Sequence, residues 1–111
     1  MKFTFFSAFL LSSGACWASE DNTIKTSNLL EVCTRADMHW IDFCNGFFQA
    51  AHDAATIQGY VCTPLGVTRT NLVELFETEV TKLISIDSSI SEASGLATAI
   101  SILTDAFPCN N

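Results

Sequence analysis

The stretch YVCTPLGVT at residues 60–68 combines a cysteine with a proline and a glycine, and a second cysteine follows near the end of the chain in AFPC at residues 106–109. Two further cysteines lie upstream, Cys33 and Cys44. Proline and glycine this close together are typical of a turn, so the first stretch is expected to connect two helices. Apart from Cys16 near the N-terminus, the chain has four cysteines, and an even set in a short chain is typical of small domains that disulfides stabilise outside the cytoplasm.

The N-terminus has the pattern of a secretory signal peptide. Lys2 precedes an apolar run at residues 3–11, and small residues follow where a signal peptidase recognises its substrate. We expect cleavage to remove residues 1–18 and to leave a single domain at residues 19–111. The run is too short for a permanent transmembrane helix, which needs about 20 apolar residues. Lipid attachment at Cys16 is the alternative, because the preceding stretch partly resembles the site at which lipoproteins are modified.

The chain is acidic, with 12 Asp and Glu against 5 Lys and Arg. Its formal net charge of −7 becomes −8 when the single positive charge of Lys2 is removed with the signal peptide. Such a surface argues against nucleic acid as a partner, because phosphate contacts need Lys and Arg. A negative surface can steer a protein toward a basic partner, but solubility alone also explains it. No later segment is apolar enough to span a membrane, so we expect a soluble mature chain.

The clearest helix is predicted between Asp37 and Gly59. Apolar residues recur there at steps of three and four, the spacing of one face of an α-helix. Asp37 is a suitable N-cap and Gly59 a suitable C-terminal stop. Gly46 lies inside this helix, where it costs about 1 kcal/mol relative to alanine, and we expect another backbone or a ring to approach it closely. The predicted apolar face consists of Trp40, Phe43, Cys44, Phe47, Phe48, Ala51 and Ala55.

Three further helices complete the prediction of an all-α domain. A short one is expected over residues 26–34, and a longer one begins at Thr68 or Thr70. A capping box of Ser89 and Glu92 is expected to begin the last helix, which a proline ends. The predicted fold is a compact bundle of about four helices held by two disulfides. The last two helices present Leu72, Leu75, Phe76, Val80 and Leu83, and then Ile90, Ala93, Leu96, Ala97, Ile100, Leu103 and Phe107.

The spacing of the cysteines restricts how they pair. In one straight helix, Cys33 and Cys44 would lie about 16 Å apart at 1.5 Å per residue, whereas a disulfide needs Cα atoms within roughly 7 Å. A bond between them therefore requires the chain to turn back near residues 35–37 as a helical hairpin. Of the three possible connectivities, we favour Cys33–Cys44 with Cys62–Cys109. The second bond would tie the turn before the third helix to the end of the fourth.

No catalytic or metal-binding constellation stands out in the sequence. His39 and His52 are the two histidines, and a cysteine nucleophile would need a free thiolate beside one of them. Cysteines paired outside the cytoplasm are not free, and neither the CxxC nor the HxxxH spacing of zinc ligands occurs. We therefore predict no enzyme activity, no cofactor and no metal. The carboxylates of Glu74, Glu77 and Glu79 indicate either a solvated helix face or a patch for a basic partner.

Three motifs follow one another along the chain. They are CNGF at residues 44–47, CTP with GVT at residues 62–68, and FPC at residues 107–109. In this order, and over residues 33–109, they resemble the Rap/Tai family of type VI secretion amidase immunity proteins. One loop departs from the family pattern, because relatives often carry a His-Pro-Glu-like step where this chain has DSS at residues 87–89.

The resemblance implies a small helical periplasmic protein that acts on a toxin from a neighbouring or sister cell. The implied partner is a cognate secreted peptidoglycan amidase, a papain-like cysteine peptidase, whose active site the protein occludes with a loop or helix. A homodimer is also implied. Exposure and charge, rather than any motif, select the contact surface that we expect. Its residues are Glu74, Glu77, Glu79, Asp87, Ser88 and Ser89.

An acid-stress periplasmic chaperone is the alternative interpretation. Such chaperones are small, acidic, disulfide-bonded and helical, and they expose apolar surface at low pH. The many carboxylates would act as a protonation switch, and the aromatic-rich helix would form the client surface. A chaperone would bind many unfolded clients weakly and only under acid, whereas an occluding immunity protein would bind one hydrolase tightly near neutral pH.

Overall fold

The computed structural model describes residues 23–110, which form four α-helices, a short 3₁₀ helix and the loops between them. The helices are α1 at Thr26–Cys33, α2 at Met38–Ile57, α3 at Arg69–Ile86, the 3₁₀ helix at Ser88–Glu92 and α4 at Gly95–Ala106. No strand forms within residues 23–110, where an isolated bridge joins Lys25 to Ser94. The predicted all-α bundle of four helices is confirmed. The predicted signal peptide at residues 1–18 and Cys16 lie outside the described residues.

Three helix ends are set by residues that adjoin them. Asp37 caps α2 by accepting a hydrogen bond from the N–H of Trp40 at 3.3 Å. Thr68 and Asn71 form a reciprocal capping box at the start of α3, with hydrogen bonds of 2.9 and 3.1 Å. Gly59 follows α2 with a φ of +81°, a left-handed conformation that glycine adopts without a Cβ clash. The predicted cap and the predicted stop of α2 are confirmed, and of the two predicted caps of α3 the structure shows Thr68.

The start of α4 differs from the prediction. Ser89 and Glu92 do not form a capping box, because both lie within the 3₁₀ helix. Ala93 then leaves helical geometry with a ψ of 165°, and its carbonyl accepts hydrogen bonds from the N–H and the hydroxyl of Thr26. α4 begins only afterwards, at Gly95. A contact with a segment far away in the sequence therefore separates the two helices.

Gly95 is the point at which the N-terminal segment packs on α4. Its N–H donates to the carbonyl of Ile24 at 2.8 Å. A Cβ at this position would lie 3.1 Å from that oxygen and 3.2 Å from Cδ2 of Leu29, so a larger residue would crowd both atoms and glycine suits this close approach. Ser94 caps the helix, its side chain accepting a hydrogen bond from the N–H of Ala97.

The hydrophobic core lies between α2, α3 and α4, and α1 packs against all three. Phe48 of α2 and Phe76 of α3 meet there with ring centroids 4.9 Å apart. Removing such side chains from water is the main driving force for folding. The buried apolar side chains are Leu29, Cys44, Phe48, Ala51, Ala55, Val61, Leu72, Val73, Phe76, Val80, Ala99, Ile102 and Leu103.

Two disulfides join the predicted partners. Cys33 bonds to Cys44 with a Cα–Cα distance of 5.6 Å, and Cys62 bonds to Cys109 with a distance of 4.9 Å. The first bond closes the α1–α2 hairpin, as the spacing argument required. The second fixes the segment before α3 to the residues after α4, where the N–H of Cys62 also donates to the carbonyl of Phe107 at 2.9 Å. The predicted pairing is confirmed.

Two details of the predicted apolar faces are wrong. Beyond its own helix, Gly46 has no heavy atom within 4 Å of where a Cβ would lie. It is two residues from buried Cys44, and at 3.6 residues per turn this places it about 200° around α2, toward solvent. On α4, Leu96 is 45% exposed, whereas Ala99 and Ile102 are buried. The buried side of α4 is therefore rotated from the predicted one, toward Ala99 and Ile102, although Leu103 is buried as predicted.

Candidate functional site

The six predicted contact residues lie on α3 and the turn after it, but the glutamates of α3 lie on two different edges of the helix. Successive helical residues are about 100° apart, so Glu77 and Glu79 project in nearly opposite directions. Glu74 is one turn from Glu77 and shares its edge. Glu79 lies on the other edge, forms an ion pair with Lys82 at 3.2 Å, and faces α4. The three glutamates therefore do not form a single acidic patch.

Glu77 carries its charge in a partly buried position. Burial raises the pKa of Glu77 above its ordinary value of 4.5, and the nearby carboxylate of Glu74 raises it further. Glu74 is itself exposed. The ionised form of Glu77 is therefore disfavoured in the folded protein. A cationic group of a partner placed beside it would offset this cost.

The turn that follows α3 is held in one shape by the side chain of Asp87. Its Oδ1 atom accepts hydrogen bonds from the N–H of Ser89 at 3.1 Å and from the Ser89 hydroxyl at 2.7 Å. These hydrogen bonds lower the pKa of Asp87 below its ordinary value of 3.8. Ser88 is exposed, and Ile86 has 82% of its surface open to solvent. This segment, called the 86–89 turn below, presents one aliphatic and several polar side chains on an ordered backbone.

A groove of about 300 Å³ runs between α3 and α4. Its aliphatic walls are bordered by two carboxylates, those of Glu79 and Asp105. Among the ion pairs of residues 23–110, Lys82 engages Glu79, and none involves Asp105. The residues that line this α3–α4 groove are Leu75, Glu79, Leu83, Ile102, Asp105 and Ala106.

Sequence reasoning did not single out Asp105. Its place in the α3–α4 groove depends on the packing of two helices, which no local pattern specifies. One weak signal was available, because Asp105 lies in the last turn of α4, where a negative side chain opposes the helix dipole. A locally unfavourable carboxylate of this kind is a reason to look for a role in binding.

An aromatic ridge runs along the first half of α2 and consists of Trp40, Phe43 and Phe47. The centroids of successive rings are 5.6 and 5.9 Å apart, and the guanidinium carbon of Arg35 lies 5.4 Å from the Trp40 ring centroid. The sequence predicted these rings on the core face, yet Phe43 is 41% exposed. The buried positions of α2 begin only at Cys44, so the ridge exposes Phe43, while Trp40 and Phe47 are half-buried and Phe47 packs against the core.

The histidines and cysteines do not assemble into a reactive centre in the described part of the chain. All four cysteines of residues 23–110 are in disulfides. His52 forms a hydrogen bond of 2.6 Å between its Nε2 atom and the hydroxyl of Thr63, which ties α2 to the segment before α3. His39 is exposed at the start of α2. Residues 23–110 contain no cluster of three or more potential metal ligands and no helix that is long and apolar enough to cross a membrane.

Comparison with known proteins gives one positive finding. The family model described as Rap1a immunity proteins matches residues 25–109. This range includes all four α-helices, both disulfides, the 86–89 turn and the α3–α4 groove. No curated protein and no solved structure matches the chain.

Proposed function

The chain belongs to the Rap1a immunity protein family, and on this premise we propose that it occludes the active site of a type VI secreted peptidoglycan amidase in the periplasm. Membership indicates an immunity protein that binds a partner effector. The family is generally non-catalytic, so the protein acts by binding rather than by turnover. The observation that carries the proposal is the family match over residues 25–109, which extends across every helix of the bundle.

The disulfides agree with a location where a cell-wall amidase would be met. Two bonds, Cys33–Cys44 and Cys62–Cys109, stabilise the bundle, and such bonds form and persist in oxidising compartments outside the cytoplasm. The predicted signal peptide at residues 1–18 would deliver the chain to the periplasm. An effector that reaches the cell wall from a neighbouring or sister cell would encounter it there.

Occlusion is the mechanism that the 86–89 turn supports best. The turn projects exposed Ile86 and Ser88, and the hydrogen bonds from Ser89 to Asp87 order it before any partner arrives. A segment that is ordered in advance loses less conformational entropy on binding. We therefore assign this turn to the active-site cleft of the effector, a papain-like cysteine peptidase. The turn would exclude water and substrate from that cleft, and the immunity protein itself would catalyse no reaction.

Charge on the neighbouring edge of α3 supports contact with a basic surface. The chain has a formal net charge of −7, which attracts a basic partner before contact. Glu74 and Glu77 hold two negative charges one helical turn apart, and a nearby cation would offset both effects that raise the pKa of Glu77. Together with Asp87, Ser88 and Ser89 they form the proposed contact surface, while Glu79 faces the α3–α4 groove.

A homodimer forms part of the proposal, and the aromatic ridge is its contact. The ridge exposes Phe43 beside the half-buried rings of Trp40 and Phe47. Phe43→Ser should convert the dimer to a monomer in size-exclusion chromatography with light scattering. Ile57→Ser is the matched control, because Ile57 is 85% exposed at the opposite end of α2. A dimer that survives Phe43→Ser would place the contact elsewhere.

The direct test is inhibition of a cell-wall amidase. Oxidised residues 19–111 would be titrated at neutral pH into a panel of type VI amidases that includes any encoded beside this gene, while cleavage of murein peptide is followed. We expect one amidase to lose its activity at stoichiometric addition. Unchanged activity across the whole panel would contradict the proposal.

Two arginine variants test the role of the 86–89 turn. Ser88→Arg places a bulky side chain at the turn and should weaken inhibition at least about tenfold, since misplaced groups at a buried contact cost on the order of 1–3 kcal/mol. Thr56→Arg, in the last turn of α2, is exposed in the same way and should inhibit like the wild type. Equal inhibition by both variants would remove the turn from the mechanism.

A further inference from the structure

The α3–α4 groove has the chemistry of a second contact with the effector. We propose that the groove binds a lysine or arginine side chain of the effector, together with the aliphatic residues next to it in the effector. The proposal rests on the proposed function. The occupant follows from the carboxylates that border the groove, its aliphatic walls and its position beside the 86–89 turn.

Negative charge at the border of the groove selects a cation. Glu79 and Asp105 both line it, and Lys82 forms its ion pair with Glu79. The last turn of α4 carries no basic side chain, so the negative end of its helix dipole is not compensated there. A cationic head group beside the carboxylate of Asp105 would also meet this dipole. Electrostatic complementarity of this kind contributes to specificity and to the rate of association.

The walls of the groove suit the aliphatic stem of such a side chain. Leu75 and Leu83 of α3 face Ile102 and Ala106 of α4 across it. Lysine and arginine can lay their methylene groups along an apolar wall while the charged end stays at the border. A volume of about 300 Å³ lies at the lower end of the range for small-molecule pockets. The space therefore suits one long side chain and its immediate neighbours.

The groove also lies next to the 86–89 turn, the segment proposed to enter the active-site cleft of the effector. Leu83 lines the groove, and Ile86 lies three residues later on α3, a rise of about 4.5 Å along the helix axis. One partner can therefore contact the groove and the 86–89 turn at the same time. A second copy of this chain is a poor occupant, because it brings 5 Lys and Arg against 12 Asp and Glu.

A peptide titration tests the groove without any effector. Oxidised residues 19–111 with labelled methyl groups would be titrated with a synthetic peptide of alternating leucine and lysine, and separately with its leucine–glutamate counterpart. We expect the methyl resonances of Leu75, Leu83 and Ile102 to shift with the lysine peptide alone. Asp105→Lys should weaken that binding at least about tenfold. Equal shifts with both peptides, or unchanged affinity in the variant, would overturn the proposal.

Inhibition assays separate this proposal from the proposed function. With an amidase that the wild type inhibits, Asp105→Lys should raise the inhibitor concentration needed at least about tenfold. Asp53→Lys, an exposed carboxylate on α2, should leave it unchanged. If both variants inhibit like the wild type, the groove is rejected and the proposed function stands. If the wild type inhibits no amidase, the proposed function fails, and the peptide titration alone decides whether the groove binds a basic segment.

Discussion

The hydroxyl groups of Thr26 and Thr98 lie 2.9 Å apart in a partly buried position, where they join the first residue of α1 to the first turn of α4. Thr26 is fully buried, and its hydroxyl and N–H also reach the carbonyl of Ala93 at 3.0 and 2.9 Å. The same residue therefore ends the 3₁₀ helix and positions α4. The groove and the 86–89 turn both depend on where these elements lie.

Thr26→Val should destabilise the protein by about 1–3 kcal/mol, because it removes the buried hydroxyl that bonds both the Ala93 carbonyl and the partly buried Thr98 hydroxyl. The measurement is urea unfolding followed by circular dichroism. Thr81→Val is the matched control, since the Thr81 hydroxyl is exposed and bonds only within α3, to the carbonyl of Glu77. That control should stay within about 0.5 kcal/mol of the wild type. Similar losses of stability in both variants would show that the Thr26 hydroxyl contributes no more to stability than an exposed one.

The helix ends show which parts of the fold the sequence could predict. Asp37, Thr68 and Gly59 act on residues within a few positions of themselves, and all three were predicted. The start of α4 was not, although Ser89 and Glu92 have the spacing of a capping box. A hydrogen bond from Thr26, more than sixty residues upstream, decides that boundary. Local spacing carries no information about such a contact.

Gly46→Ala should stabilise the protein by about 0.5–1 kcal/mol, because Gly46 is exposed in the middle of α2 and alanine is the better helix former. Gly59→Ala should do the opposite and cost about 1–2 kcal/mol, since its φ of +81° is unfavourable for a residue with a Cβ. Thermal unfolding of the two single variants measures both effects. A loss of stability in Gly46→Ala would mean that the added methyl group meets a neighbour and that Gly46 is not open to solvent.

The sequence predicted only part of the arrangement of the candidate contact residues. Glu74, Glu77 and Glu79 were grouped because they are close in sequence. A step of two residues nevertheless rotates Glu79 by more than half a turn around the helix axis from Glu77. The 86–89 turn was identified, although as a loop rather than as the start of a 3₁₀ helix. Asp105 was missed, because only the packing of α4 on α3 brings it to the groove that Glu79 lines.

Removing the Cys62–Cys109 bond should lower the free energy of unfolding by about 4 kcal/mol, because the bond spans 47 residues of the unfolded chain. Cys62→Ser with Cys109→Ser is the suitable variant. Neither residue is fully buried, whereas a change at buried Cys44 would also remove core packing. Urea unfolding without reductant, with the Cys33–Cys44 bond intact, measures the effect. A loss below about 1 kcal/mol would contradict the role of loop closure.

The charge of Glu77 links stability to pH. Its folded-state pKa is raised above 4.5, first by burial and then by the Glu74 carboxylate. At any pH above that folded-state value, the ionised carboxylate destabilises the protein. The destabilisation fades as the pH falls through the folded-state pKa and is absent below about 4.5, where the group is protonated in both states.

Glu77→Gln should therefore raise the melting temperature at neutral pH and lose this advantage as the pH falls toward 4.5. Melting temperatures of wild type and variant across this range measure the effect. Glu74→Gln removes only the smaller of the two causes, so it should stabilise less than Glu77→Gln. A gain that persists unchanged below pH 4.5 would show that the glutamine stabilises α3 by its shape and not by the loss of charge.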